Sequence, residues 1–279
     1  MAAAGEQAPQ QELRWLTLRS KGVATVTVAQ GSALRLLGVR IYRTGAEESG
    51  SGALVVTGGS RCVLGRCSVE STCTTGVLCE GEGSSLSLVG CAVRRCALVG
   101  VALAGGGSGR VAASTIAHNG IDGVSAEGSG TSLRLHACVV SDHEEAGVFV
   151  HSGAEASVVH CRVLRNGNGL VAEDGARVEA QSSGFGESVE AGVRVSDASA
   201  RITACSIVGN GLAGCFAEGG RRSGAAAGPT SSLEISKAVG RADRPALTTL
   251  SRPFLPRFPP GLSPGGCPNS PCVDSILCD

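Results

Sequence analysis

Apolar side chains recur along this chain in a two-residue alternation that is itself repeated every 22–28 residues. Ile41, Val69, Val93, Ile116, Val140, Val163, Phe185 and Ile207 refill one slot of the repeat. A second series runs in step: Gly76-Val77, Gly100-Val101, Gly123-Val124, Gly147-Val148, Gly169-Leu170, Gly192-Val193 and Gly214-Cys215. Segments such as Leu86-Ser87-Leu88, Leu133-Arg134-Leu135 and Val148-Phe149-Val150 put every second side chain on one face, the period of a strand. No interval holds ten or more residues of helical spacing, which excludes helical solenoids. About three short strands per unit, at this period, predict the coil of a parallel β-solenoid. Asn119-Gly120, Asn166-Gly167 and Asn210-Gly211 are expected to be turns that pass through positive φ.

Proline marks where the repeat stops. Nine of the ten prolines lie at or beyond Pro229, and residues 10–228 contain none, as a body of paired strands requires. The organisation expected is a disordered stretch over residues 1–12, a β-helix of about eight coils over 13–220, and a Pro-rich, largely disordered tail over 221–279. Residues 13–30, with Trp15, Val23, Val26 and Val28, read as an irregular first coil or cap. Leu247–Leu255 is the apolar stretch expected to cover the last coil. Only 3% of residues are aromatic and 42 are glycine, so the core must be thin and built from small and β-branched side chains.

Lys plus Arg equals Asp plus Glu at 24 each, and no global charge draws the chain to nucleic acid or a membrane surface. The first residues lack the apolar run of a signal peptide, and no stretch approaches a membrane span of about 18 apolar residues. A cytoplasmic monomer with reduced cysteines is therefore expected. Cys67, Cys91, Cys138, Cys161 and Cys205 share one slot two residues before the apolar step, with Ser114 and Ser183 filling it elsewhere. That pattern reads as an interior ladder of small apolar side chains rather than disulfides or a metal site, and no cofactor is expected.

Cys161-Arg162-Val163-Leu164-Arg165-Asn166-Gly167-Asn168-Gly169-Leu170 and Cys205-Ser206-Ile207-Val208-Gly209-Asn210-Gly211-Leu212-Ala213-Gly214-Cys215 resemble the repeat of the pectin-lyase-like superfamily. The resemblance covers about residues 31–220 and implies an all-β, single-stranded, right-handed parallel β-helix. That superfamily holds polysaccharide lyases, hydrolases and epimerases beside non-catalytic binding coils. In style the chain is most similar to the β-helix regions of F-box only proteins, a resemblance that implies substrate recognition.

Three outward columns carry the candidate chemistry. Two residues after the apolar step stand Ser71, Arg95, His118, Asp142, Arg165, Glu187 and Gly209, in which opposite charges alternate. Ion pairs along a solvated ladder account for it; the functional alternative is a catalytic group of His118, Asp142, His143, Glu145 and Arg165. Asp142-His143-Glu144-Glu145 is similar to the acidic-histidine motif of alginate epimerases but lacks its proline, and the only tyrosine, Tyr42, lies about four coils away. The slot after the Gly-Val series reads Leu78, Ala102, Ser125, Phe149, Val171, Arg194 and Phe216, rimmed by Glu127, His151, Glu173 and Glu218. Leu78, Phe149, Val171 and Phe216 on one stripe form the candidate binding face. The reading that follows is a non-catalytic module binding a protein or a glycan on that face. A lyase or epimerase, and a structural spacer, are the alternatives.

Overall fold

A computed structural model of the protein describes residues 11–22, 24–45, 51–218, 232–236 and 276–278. Among them the strands sort into three sheets of ten, nine and ten strands, and consecutive strands go to different sheets. The first coil contributes Gln11–Arg14, Thr17–Ser20 and Val26–Val28, and the second Ala33–Leu37, Arg40–Arg43 and Gly52–Val56. The chain winds as a parallel solenoid of about nine turns, each strand paired with its counterpart one turn on. No helix is present among the described residues.

Both sequence series are ladders in strict register. Ile41 pairs with Val69, and the pairing continues through Val93, Ile116, Val140, Val163 and Phe185 to Ile207 along the second sheet. Val77, Val101, Val124, Val148, Leu170, Val193 and Cys215 do the same along the third. The described strands within residues 13–30 form a first coil: Leu18 pairs with Ile41 and Val26 with Leu54, because their alternation matches the pleat. Beyond residue 221, Ser232–Ser236 extends the first sheet parallel to Ser199–Thr203, and Ile276–Cys278 joins Ala213–Glu218 antiparallel. Leu247–Leu255 and residues 1–10 lie outside the described residues.

The corner between the first and second sheets explains the cysteines. In every coil one residue turns the chain through the left-handed region, including Arg66, Ala113, Ala137, His160, Ser182 and Ala204, with φ between 45° and 54°. The next side chain is thereby turned inward, and there stand Cys67, Cys91, Ser114, Cys138, Cys161, Ser183 and Cys205, all buried. Each is bonded in two directions. The Cys138 thiol donates to the His136 carbonyl at 3.4 Å, and the Cys161 sulfur accepts the Cys138 N–H at 3.5 Å. Ser114 and Ser183 accept the N–H groups of Cys91 and Cys161 at 3.0 Å. The slot needs a small side chain that both donates and accepts. It is a hydrogen-bonding ladder, not the purely apolar one expected.

The corner between the second and third sheets carries a second polar ladder. Arg95, His118, Asp142, Arg165 and Glu187 occupy the left-handed region, with φ from 52° to 63°, so each points outward. The residues that follow them, Cys96, Asn119, His143, Asn166 and Ser188, turn inward, as does Asn210 after Gly209 with φ 68°. Cys96 N–H donates to Asn119 Oδ1 at 3.0 Å, Asn119 N–H to His143 Nδ1 at 3.2 Å, and His143 N–H to Asn166 Oδ1 at 3.1 Å. The positive φ expected at Gly120, Gly167 and Gly211 sits instead on the residue before each asparagine. The Gly-Val series needs glycine because of crowding at this ladder. A Cβ on Gly147 would lie 2.5 Å from Val163 Cγ1, 2.7 Å from Asn166 Nδ2 and 2.8 Å from the Gly169 carbonyl oxygen. The third and earlier coils turn this corner with one residue fewer, so Ser71 pairs with Cys96 inside the coil and does not belong to the outward column.

His143 is therefore an interior strut. Its Nδ1 accepts from Asn119 and its Nε2–H faces the Ile116 carbonyl at 3.2 Å, which fixes a neutral tautomer. Desolvation holds its pKa down to about 4, against 6.5 for the free side chain. Buried Asp122, which accepts the Ala146 N–H at 2.9 Å, is pushed the other way by desolvation, to about 6.

A depressed histidine pKa makes the unfolded chain bind more protons, so this contribution is intact above pH 6.5 and is lost as pH falls toward about 4. The His143→Asn variant, which restores the ladder's common residue, should lose this dependence. The wild type should drop relative to it by up to about 3 kcal/mol between pH 7 and pH 4, measured by urea unfolding. Asp122 titrates in both proteins and cancels in the difference. Gly147→Ala should lower stability by about 1–3 kcal/mol. Gly184→Ala, with nothing within 4 Å of the new Cβ, should change it by less than about 0.5 kcal/mol.

Candidate functional site

The second corner gathers the outward charges. Because consecutive left-handed residues stack one coil apart, Arg165 reaches Asp142 with Nε–Oδ1 2.8 Å and Nη2–Oδ2 3.1 Å, a bidentate pair, and Glu187 on its other side at 3.6 Å. The Arg165 hydrogen bonds hold the Asp142 carboxyl well down, at about 2. Thr72, Arg95, His118, Asp142 and Glu144 line an open groove of about 440 Å3 beside this column.

Of the five catalytic candidates, His118 and Asp142 share the groove, and Arg165 adjoins it through Asp142. His143 does not join them. It lies in the wall behind, 4% exposed, with both ring nitrogens engaged by backbone. Glu145 is exposed, yet Glu144 rather than Glu145 lines the groove. A proton relay through His143 would require breaking the corner ladder, and Asp142 is already committed to Arg165. General acid–base chemistry there would rest on His118.

The third sheet presents the other candidate face. Leu78, Ala102, Ser125, Phe149, Val171, Arg194 and Phe216 stand in register on its outward side. The Phe149 ring stacks on the His151 imidazole, centroids 4.4 Å apart and planes at 18°. Val171, its partner one coil on, is only 5% exposed. Arg194 then interrupts the stripe and pairs with Glu173 at 3.8 Å, so the rim carboxylate Glu173 is engaged and Phe216 is separated from Val171. Phe216 registers instead with Leu277 of the antiparallel end strand. The stripe thus divides into Leu78 beside Val55, a central group of Phe149, His151 and Val171 with exposed Glu127 in register with His151, and Phe216 with Glu218 on the strand before the last of the sheet.

Burial pushes the Cys62 and Cys96 thiols up to about 12 and Cys79 to about 11, whereas hydrogen bonds with Cys91 and Cys161 hold Cys67 and Cys138 down, at about 7. All five of these thiols are buried. Among the described residues no three His, Cys, Asp or Glu side chains are placed to hold a metal ion.

Residues 24–185 match the family model described as a right-handed β-helix region. Among solved structures, the chain is similar to the pectate lyase Pel9A, at 14% identity and a TM-score of 0.54, over 85% of this chain and 68% of that one. It is also similar to the Azotobacter vinelandii mannuronan C-5 epimerase AlgE4 A-module, at 13% identity and a TM-score of 0.45, over 75% and 79%. A mutant of the periplasmic alginate epimerase AlgG gives 10%, 0.48, and 83% and 73%. No curated protein sequence matches the chain. At such identities the likeness extends to fold alone, and the family model covers more than half the sequence: the chain belongs to the right-handed β-helix family.

Proposed function

We propose that this β-helix is a non-catalytic recognition scaffold that engages an extended protein segment, or a glycan, across the third sheet around Phe149, His151 and Val171. The observation that carries this reading is a division of labour. Two of the groups that acid–base chemistry would recruit, His143 and Asp142, are spent on the corner ladder and on Arg165, which leaves His118 alone among the corner histidines. The aromatic–imidazole stack of Phe149 and His151 is presented outward on rigid paired strands. Rigid presentation lowers the ordering cost of binding, and an aromatic anchor with an acidic neighbour such as Glu127 suits an apolar segment carrying a positive charge. The buried free thiols fit a reducing compartment, consistent with a cytoplasmic protein.

Peptide display and glycan arrays on the full chain test this reading. Ligands enriched on the wild type should lose about tenfold or more in affinity to Phe149→Ser, while the melting temperature stays near that of the wild type because Phe149 lies outside the interior. Incubation with polyuronides should release no unsaturated product. Turnover that disappears in His118→Ala would favour the lyase or epimerase instead.

A further inference from the structure

Several charges on the outer faces of this solenoid are matched from one coil to the next. Glu70 meets Arg94 at 3.0 Å, Asp142 meets Arg165 at 2.8 Å, Glu155 meets Arg177 at 3.2 Å, and Arg201 meets Glu234 at 3.0 Å. The first sheet holds one pairing of the opposite kind. Arg110 and Arg134 are direct register partners on neighbouring strands, the only like-charged register pair among the described strands. Both are exposed, and neither has a side-chain hydrogen bond or ion pair among the described residues. Their backbones run about 4.8 Å apart, and like charges directly opposite each other on a sheet oppose folding.

The surroundings of the pair are donors. Ser87 precedes Arg110 in the same column and Ser157 follows Arg134. Ser132 and exposed His136 flank Arg134 on its own strand, and the nearest carboxylate of the neighbouring column, Glu155, is held by Arg177. A carboxylate has two oxygens and one charge, which a single guanidinium fork already satisfies. Two forks with hydroxyls at either end supply donors for a third oxygen and a second charge, the valence of a phosphoryl group.

We infer that the first-sheet face around Arg110 and Arg134 is a docking site for a phosphorylated segment of a partner protein, the phosphoryl group bridging the two guanidinium groups. A shallow depression of about 220 Å3 on this sheet, lined by Ser157, Glu179, Gln181 and Arg201, adjoins the pair but includes neither Arg110 nor Arg134, so contacts from the peptide flanking the phosphate must hold it in place. Two observable consequences follow. Binding depends on phosphorylation and falls with added salt, and without ligand the pair is a point of repulsion in the fold.

The test uses the full chain, immobilised and exposed to a degenerate nine-residue peptide library with a fixed central phosphoserine. Parallel samples carry serine or glutamate at that position, a sulfated oligosaccharide, or inorganic phosphate as competitor. Retention of the phosphoserine library is expected to exceed that of the other two libraries by about tenfold or more. It should fall by a similar factor in Arg110→Ser/Arg134→Ser and stay unchanged in the single-site control Arg61→Ser. Independently of any ligand, Arg134→Glu should raise the melting temperature at low salt by replacing repulsion with attraction. Equal retention of phosphorylated and unphosphorylated libraries, equal retention by the double variant, or an equal loss in Arg61→Ser would overturn the proposal. So would displacement by inorganic phosphate at the affinity of the peptide, sulfated glycan held through these arginines without phosphopeptide, or a melting temperature lowered by Arg134→Glu.

Discussion

What this molecule depends on is the satisfaction of backbone donors at two bent corners, coil after coil. A strand pairs its own N–H groups through the sheet, whereas a corner leaves one facing the packed interior, where an unpaired donor is costly. Here the answer is a side chain from the next coil. Ser114 accepts from Cys91, Ser183 from Cys161, Asn119 from Cys96 and Asn166 from His143. Each ladder ties a coil to the one that follows, so register and corner geometry are settled together. A slip by one residue would send the apolar set outward and leave these donors without acceptors.

The same constraint decides what is available for function. To turn a ladder residue inward, the residue before it takes the left-handed conformation and points into solvent. The outward column of Arg95, His118, Asp142, Arg165 and Glu187 is thus a by-product of the corner, and its charges pair along the axis because they are stacked one coil apart. Conformational cost is accepted at five non-glycine residues in a row, each held by neighbours above and below. Clustering of titratable groups on such a column follows from the architecture, and on its own says little about catalysis. Departures from the repeat are more informative: the Phe149–His151 stack on the third sheet and the unmatched Arg110–Arg134 pair on the first.

Much of the fold was legible in the sequence, because a solenoid writes its contacts at a fixed spacing. The Ile41 and Gly-Val series are the ladders of the second and third sheets, and the shared cysteine slot is an interior corner. The alternation of Cys with Ser in that slot already signalled hydrogen bonding rather than mere small size. His143 was misplaced for a physical reason. It stands 24 residues after Asn119 and 23 before Asn166, the spacing of one slot, yet a histidine between acidic residues suggests proton chemistry. Its inward direction depends on the left-handed φ of Asp142, which an aspartate does not announce as a glycine would. Ser71 was displaced because its coil turns the corner with one residue fewer, a deletion invisible until the register shift at Cys96 is seen. The break in the Phe149–Phe216 stripe was readable from Arg194; that Glu173 would be drawn to it was not.

The central claim is that equivalent residues of successive segments lie directly above one another at one strand spacing. Arg61, Glu155 and Ser199 belong to a single outward column of the first sheet, four and six coils apart. Spin labels attached through a ketone-bearing amino acid, which leaves the native thiols untouched, allow these separations to be measured by pulsed electron resonance. The account predicts peaks near 19 Å for the 61/155 pair and near 29 Å for the 61/199 pair, about 4.8 Å per coil. Separations that fail to grow in proportion to coil number, or a broad distribution spanning both values, would contradict it.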